Sequence, residues 1–199
     1  MQTRIFSPTT IGQFTITPTN QLTAIPAGTH PLILGSKGAF GSGEHETTAA
    51  CLELLPQIPG LSGSRALDLG SGTGVLAIAA ARLGAAIIAA IDLFWDAARS
   101  CQENVQLNGV EAEVLTICGE LDCLRLRNLD LVMANIYADI LDPLAPELVT
   151  ATRSGGHILL SGIPLQDKYD IWRRYTNLGC REVNSRIGEE YATYLFIKG

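Results

Sequence analysis

A chain of 199 residues is long enough to bury a full apolar core without disulfides or metals, and one domain is the expected outcome. Hydrophobic residues make up 47% of it and charged ones 17%, a balance that excludes a disordered chain and a coiled coil. The formal charge of −6, with 14 Lys and Arg against 20 Asp and Glu and no basic stripe, disfavours nucleic-acid binding by charge alone.

Residues 1–34 are rich in Thr, Pro and Ile, and IGQFTITP alternates apolar and polar positions as a short strand or hairpin does. This stretch reads as an N-terminal flap and linker, followed by a second unit over 35–199. KGAFGSGEHETTAACLELLPQ is a glycine-rich loop (Gly38, Gly41, Gly43) running into an amphipathic helix, whose early Glu44 and Glu46 suit the positive end of the helix dipole. His45 is expected to be an exposed or capping residue, and no metal site is expected around it.

From Arg65 the pattern becomes regular: RALDL as a strand, GVLAIAAARLG as a helix and AIIAAID as a second buried strand. Arg82 and Gly84 divide VLAIAAARLGAAIIAAI into pieces too short to span a bilayer. A helix (WDAARSCQENVQLNG), two strands (EVLTI, LDLVMAN), a proline-bearing helix (YADILDPLAPELVTAT), a strand (GGHILLSG) and a helix (KYDIWRRYTNLG) come next. CREVNSRIGEEYATYLFIK closes the chain as two strands around a GEE turn. Strands alternating with helices predict an α/β fold: a mostly parallel sheet covered on both faces, with one antiparallel strand from the terminal hairpin. Five cysteines without a C-x-x-C pair, and an N-terminus without an apolar signal region, fit a reducing, cytoplasmic setting.

The strongest local signal is LDLGSGTGVLAIAAA, with Gly70, Gly72 and Gly74 in a strand-to-helix turn. Glycine there permits a sharp turn and a close approach of ligand to backbone. A nicotinamide fingerprint needs G-x-G-x-x-G, but Val75 occupies the sixth position and the spacing is G-x-G-x-G. Asp68 beside the turn would repel a pyrophosphate and is suited to the ammonium of an amino acid, which S-adenosylmethionine carries. Asp92, at the end of the second strand, is placed to accept both ribose hydroxyls, with Leu93 next to it at the same rim. Glu120 and Leu121, after the third strand, fall where an adenine ring lies in this architecture. Glu120 reads equally well as a solvated loop residue.

DLVMANIYAD puts Asn135 at the carboxyl end of the fourth strand, where open α/β sheets bind ligands. An amide oxygen accepting from an amine N–H would aim the nitrogen lone pair at a methyl donor. The carbonyl of Ile136 and the ring of Tyr137 are candidate substrate contacts. The competing readings are Asn135 as a helix cap and Tyr137 as a core residue.

Taken together, AFGSGEHETT, ALDLGSGTGVLAIAAARLGA, NVQLNGV, DLVMANIYADILDPLAPEL and GGHILLSGI resemble, in order, the methyltransferases that modify protein eleven of the large ribosomal subunit. The resemblance runs from about Pro8 to the C-terminus. It implies a seven-stranded Rossmann-like class I methyltransferase domain that uses S-adenosylmethionine to methylate lysine or N-terminal amines of a protein. By motif, Gly70, Gly72 and Asp92 resemble cofactor contacts, Phe40 and Thr47 line the donor site, and Asn135 faces the accepting amine. Two departures stand out. Family members carry a substrate-gripping N-terminal domain where only IGQFTITP stands here, and IDLFWD replaces the usual proline after the acidic residue with Phe94 and Trp95 nearby. The expected partner is therefore a protein substrate, ribosomal or other, or a small amine. A module that binds the donor without turnover is the reading from another class.

Overall fold

The computed structural model describes residues 7–22, 25–35 and 45–199. Among these residues the strands form two sheets. The larger is built from β4 (Arg65–Leu69), β5 (Ile87–Asp92), β6 (Val114–Cys118), β7 (Leu129–Asn135), β8 (Thr152–Pro164), β9 (Cys180–Ile187) and β10 (Tyr191–Lys198), in the order β6-β5-β4-β7-β8-β10-β9. β4 to β8 pair in parallel, whereas β10 runs antiparallel to both β8 and β9. One antiparallel strand in a parallel sheet is what the terminal hairpin predicts.

Period-two alternation along each central strand divides the side chains between two apolar layers. Ala66, Ile88, Leu131 and Met133 face one layer. Leu67, Ile91, Val132 and Leu160 face the other. The first layer is covered by α1 (Glu46–Leu54), α2 (Val75–Arg82) and α3 (Trp95–Asn108), the second by α4 (Ala138–Ala151) and α5 (Lys168–Asn177). The apolar run that α2 and β5 share is therefore a buried helix and a buried strand. Among the described residues, no helix is long and apolar enough to cross a membrane.

α4 continues through Pro143 and Pro146. A proline has no N–H to offer the preceding turn, which leaves carbonyls free on the helix. The carbonyl of Asp142, four residues before Pro146, accepts from Arg174 Nε at 3.4 Å on α5. At the end of α4, Lys198 Nζ donates to the carbonyls of Val149 and Thr152, placing a cation where the helix dipole is negative.

The smaller sheet, β1 (Thr9–Ile11), β2 (Phe14–Pro18) and β3 (His30–Leu34), pairs β1 with β2 as a hairpin and β2 with β3 in parallel. Phe14, Ile16, Leu32 and Leu34 are buried in the same cluster as α1, α2 and α3. The segment read from sequence as a flap thus contributes large side chains to the main core. Burying four side chains of this size is worth about 1.5–3 kcal/mol each.

Sheet order fixes where a ligand can sit. The chain leaves β4 outward to β5 and β6, then returns to β7 on the other side of β4. This makes a crevice at the carboxyl ends of β4, β5 and β7, the switch point at which such sheets bind ligands.

Candidate active site

The turn after β4 is held by its neighbour strand. The amides of Gly70 and Ser71 both donate to the carbonyl of Ile91, at 2.9 and 3.0 Å, and Gly74 N–H folds back to the Ser71 carbonyl at 2.7 Å. Gly70, Gly72 and Gly74 have φ values of 71°, 54° and 78°, the left-handed region that favours glycine. Two of the three also make room for the protein itself. A Cβ at Gly70 would strike the Ile136 side chain, and one at Gly74 would lie 2.5 Å from Cys101 Sγ.

Asp92 is buried at the end of β5 and spends both oxygens on backbone. Oδ2 accepts from Gly72 N–H at 2.9 Å and Oδ1 from Phe94 N–H at 3.0 Å. It ties the glycine turn to the rim that carries Leu93, Phe94 and Trp95, all of them exposed. Asp68 lies beneath the turn, 2% exposed, with Oδ2 accepting from Ala77 N–H on α2 at 3.0 Å. Burial pushes its carboxyl up to about 7; the Ala77 N–H works against this shift and the charge of Asp92 adds to it.

After β6, Leu121 is buried in the layer that holds Leu69 and Ile91, while Glu120 is exposed and makes no side-chain cap to the short turn of helix it precedes. Phe40, Gly38, Gly41, Gly43 and Glu44 lie outside the described residues.

β7 delivers Asn135 opposite Ser161 of β8. Its Nδ2 donates to Thr48 Oγ1 at 3.4 Å, and its Oδ1 is buried with no hydrogen-bond partner among the described residues. The next helix is capped by Tyr137, whose carbonyl accepts from Ile140 and Leu141, so Asn135 does not serve as the cap. Tyr137 is 66% exposed and stands outside the core. The Ile136 amide donates to the Ser161 carbonyl, and its own carbonyl lies against Gly162, where a Cβ would come within 2.6 Å of the oxygen.

α1 begins beside this point. His45 is its N-cap and takes the Thr47 amide on Nδ1. The Thr47 hydroxyl also meets that nitrogen, at 2.9 Å, and its carbonyl accepts from Ser161 Oγ at 3.3 Å. Glu46 reaches the turn between β9 and β10, where its carboxylate accepts from the amides of Glu189, Glu190 and Tyr191 at 2.8 to 3.0 Å. Desolvation alone would raise its pKa, but the three N–H donors and the His45 charge outweigh it and hold the carboxyl below its ordinary value.

Gly70, Gly72, Asp92, Asn135 and Ile136 therefore gather at the crevice, with Asp68 below it and Tyr137 at its edge. Thr47 stands one residue from the group that touches Asn135, which is Thr48. From sequence, Thr47 and Thr48 both offer hydroxyls at a helix start, and the motif singles out Thr47, because neighbouring hydroxyls look alike until the helix phase is known. Sequence reasoning passed over Gly162 and the paired asparagines of NVQLN, Asn104 and Asn108. A cavity of about 520 Å3 lined by Ile58, Leu61, His157 and Leu195 is formed by other residues than these.

The fold is that of the class I methyltransferases. It matches a ribosomal protein L11 methylase from Lactobacillus delbrueckii subsp. bulgaricus with a TM-score of 0.85 at 24% identity, over 98% of this chain and 100% of that one. An RNA methyltransferase from Salinibacter ruber, solved with S-adenosyl-L-homocysteine, aligns with a TM-score of 0.59 at 19% identity over 74% of this chain and 90% of that one. The family model for Ribosomal protein L11 methyltransferase (PrmA) matches residues 1–194, and the chain belongs to that family. The ribosomal protein L11 methyltransferase of Halorhodospira halophila is 42% identical over 159 residues, which is 79% of this chain and 53% of that protein. That of Symbiobacterium thermophilum is 34% identical over 194 residues, 97% of this chain and 63% of that protein. The chain thus spans between half and two thirds of the length of these relatives.

Proposed function

We propose that this chain is an S-adenosylmethionine-dependent protein N-methyltransferase acting on lysine or N-terminal amines, with ribosomal protein L11 as the substrate that family membership points to. The observation that carries this reading is Oδ1 of Asn135 at the carboxyl end of β7, buried and, among the described residues, without a hydrogen-bond partner. A buried acceptor without a partner costs about 1–3 kcal/mol, and an amine N–H arriving there would relieve that cost.

The residues suit the donor. Among the described residues, the charged side chains that meet the glycine turn or lie under it, Asp92 and Asp68, are both carboxylates. Such a set favours a ligand with cationic groups and no phosphate. When bound, S-adenosylmethionine supplies a methyl group on a cationic sulfur. Each Asp92 oxygen, already accepting one backbone N–H, has a second lone pair for a ribose hydroxyl, and Leu93, Glu120 and Leu121 border the adenine side.

The chain's own work is orientation. A lysine ammonium, with a pKa of about 10.4, must release a proton to water before its lone pair is available. Thr48 holds Nδ2 of Asn135, so Oδ1 faces the amine. The hydrogen bond it accepts, with the Ile136 carbonyl alongside, fixes the lone-pair direction. Tyr137 borders the approach and offers a ring face to a cationic or methylated amine.

The test is methyl transfer from labelled S-adenosylmethionine to ribosomal protein L11, with the modified amines located by mass spectrometry. Label on amines, lost in Asn135→Ala while donor affinity is kept, is the expected result. Donor binding with no transfer to any protein or small amine would favour the non-catalytic module instead.

A further inference from the structure

The turn that faces the crevice is restrained from two sides, and the second side belongs to a residue with no contact at the crevice. Between Gly70 and Gly72 the backbone is tied to β5 through the Ile91 carbonyl and the Asp92 carboxylate. Around Thr73, flanked by two glycines at positive φ, the backbone has few steric limits of its own. There Asn104 of α3, 2% exposed, donates from Nδ2 to the Thr73 carbonyl at 2.8 Å, and its Oδ1 accepts from the Gly35 amide just past β3, also at 2.8 Å.

One helical turn later, Asn108 bonds the same strand on both sides of one residue: Oδ1 accepts from Ile33 N–H at 2.9 Å and Nδ2 donates to the Ile33 carbonyl at 2.7 Å. Spacing of four puts the two amides on one face of α3, where they cover the outer edge of β3 as a neighbouring strand would. Asn108 stops at β3. Asn104 continues to the glycine turn.

We propose that Asn104 is a positioning residue for the methyl donor: its carboxamide joins the end of β3 to the donor turn and sets the backbone of residues 73 and 74 on which donor affinity depends. The donor half of this inference rests on the function proposed above; the structural half does not. Asn104→Asp keeps an acceptor for Gly35 N–H and turns a carboxylate oxygen toward the Thr73 carbonyl. Asn108→Asp makes the same chemical change on the same helix face against the same strand, without reaching the turn.

Two measurements on the folded full chain decide it: calorimetric affinity for S-adenosylmethionine, and amide hydrogen exchange at Gly72 and Gly74 in donor-free protein. Asn104→Asp is expected to weaken donor binding about tenfold, the loss of one bond plus a poorly satisfied buried carbonyl. It should also speed exchange at Gly74, while Asn108→Asp leaves affinity within about twofold. Should Asn104→Asp fail to fold, Asn104→Ala and Asn108→Ala form the same pair. Equal effects of the two positions on affinity and on Gly74 exchange, or no effect of either, would overturn the assignment. If the unaltered chain does not bind the donor, the proposed function is what fails, and the exchange comparison still decides whether Asn104 sets the turn.

Discussion

Asn135 and Thr48, 87 residues apart in the chain, meet through a hydrogen bond from Nδ2 to the threonine hydroxyl at 3.4 Å, and this contact leaves the amide oxygen buried and, among the described residues, unshared. An amide that can flip presents a donor to the amine as readily as an acceptor; one held by its nitrogen presents only the oxygen. Thr48→Val should therefore lower turnover about tenfold, the equivalent of about 1.4 kcal/mol in the barrier, with donor affinity unchanged. Steady-state kinetics beside calorimetry separates the two quantities. A loss of donor affinity equal to the loss of turnover would assign Thr48 to the donor side.

Asp68 should give donor binding a pH dependence near neutrality. Its folded pKa, raised to about 7 by burial, means that its contribution to stability is fully present below the unfolded carboxyl's pKa and is lost as pH rises from there through about 7. A bound donor ammonium would favour the ionised carboxylate. Donor binding at pH 6 should then release a proton, and affinity should rise as pH passes 7. Calorimetry in buffers of different ionisation enthalpy reads the proton directly. Asp68→Asn should abolish the release, and a release that persists in that variant assigns the proton to another group.

Much of this was legible in the sequence for physical reasons. Alternation and helical period are local, so RALDL, AIIAAID and LDLVMAN stood out as strands, and the G-x-G-x-G spacing marked the turn. What was not legible depends on contacts between distant segments. Nothing near Glu46 says that its carboxylate would grip the amides of Glu189, Glu190 and Tyr191. In sequence the glycines of LDLGSGTG signal room for a ligand, whereas at Gly70 and Gly74 the space is also taken by Ile136 and Cys101. IGQFTITP showed its hairpin but not that Phe14 and Ile16 would enter the main core.

Asp92 bonds Gly72 and Phe94 at once, so its removal loosens the turn and the rim together. Asp92→Ala is expected to weaken donor binding by at least about 1 kcal/mol, since charge-assisted hydrogen bonds are lost. Glu120→Gln, an exposed change with no cap to lose, should alter affinity far less. Calorimetric titration of both variants checks the ranking, and equal losses would contradict it.

The small sheet carries part of the stability. Phe14 is fully buried among side chains of the main core, so Phe14→Ala should cost about 3–5 kcal/mol. At this chain length each kcal/mol lowers Tm by about 2–4 °C. Thermal unfolding followed by circular dichroism should show one transition moved to lower temperature. A separate early transition, with the main one in place, would make residues 7–34 an independent unit.

The central claim is that Asn135 presents its amide oxygen to an amine while the glycine turn and Asp92 hold the methyl donor. Its most direct test is single-turnover methyl transfer to ribosomal protein L11 by the unaltered chain and by Asn135→Ala, each saturated with S-adenosylmethionine and read by peptide mass spectrometry. The account predicts methyl groups on lysine or N-terminal amines with the unaltered chain, and a rate about a hundredfold lower with the variant, as expected when a reacting group loses its orientation. Equal rates for the two proteins, or methyl groups on atoms other than amine nitrogen, would contradict it.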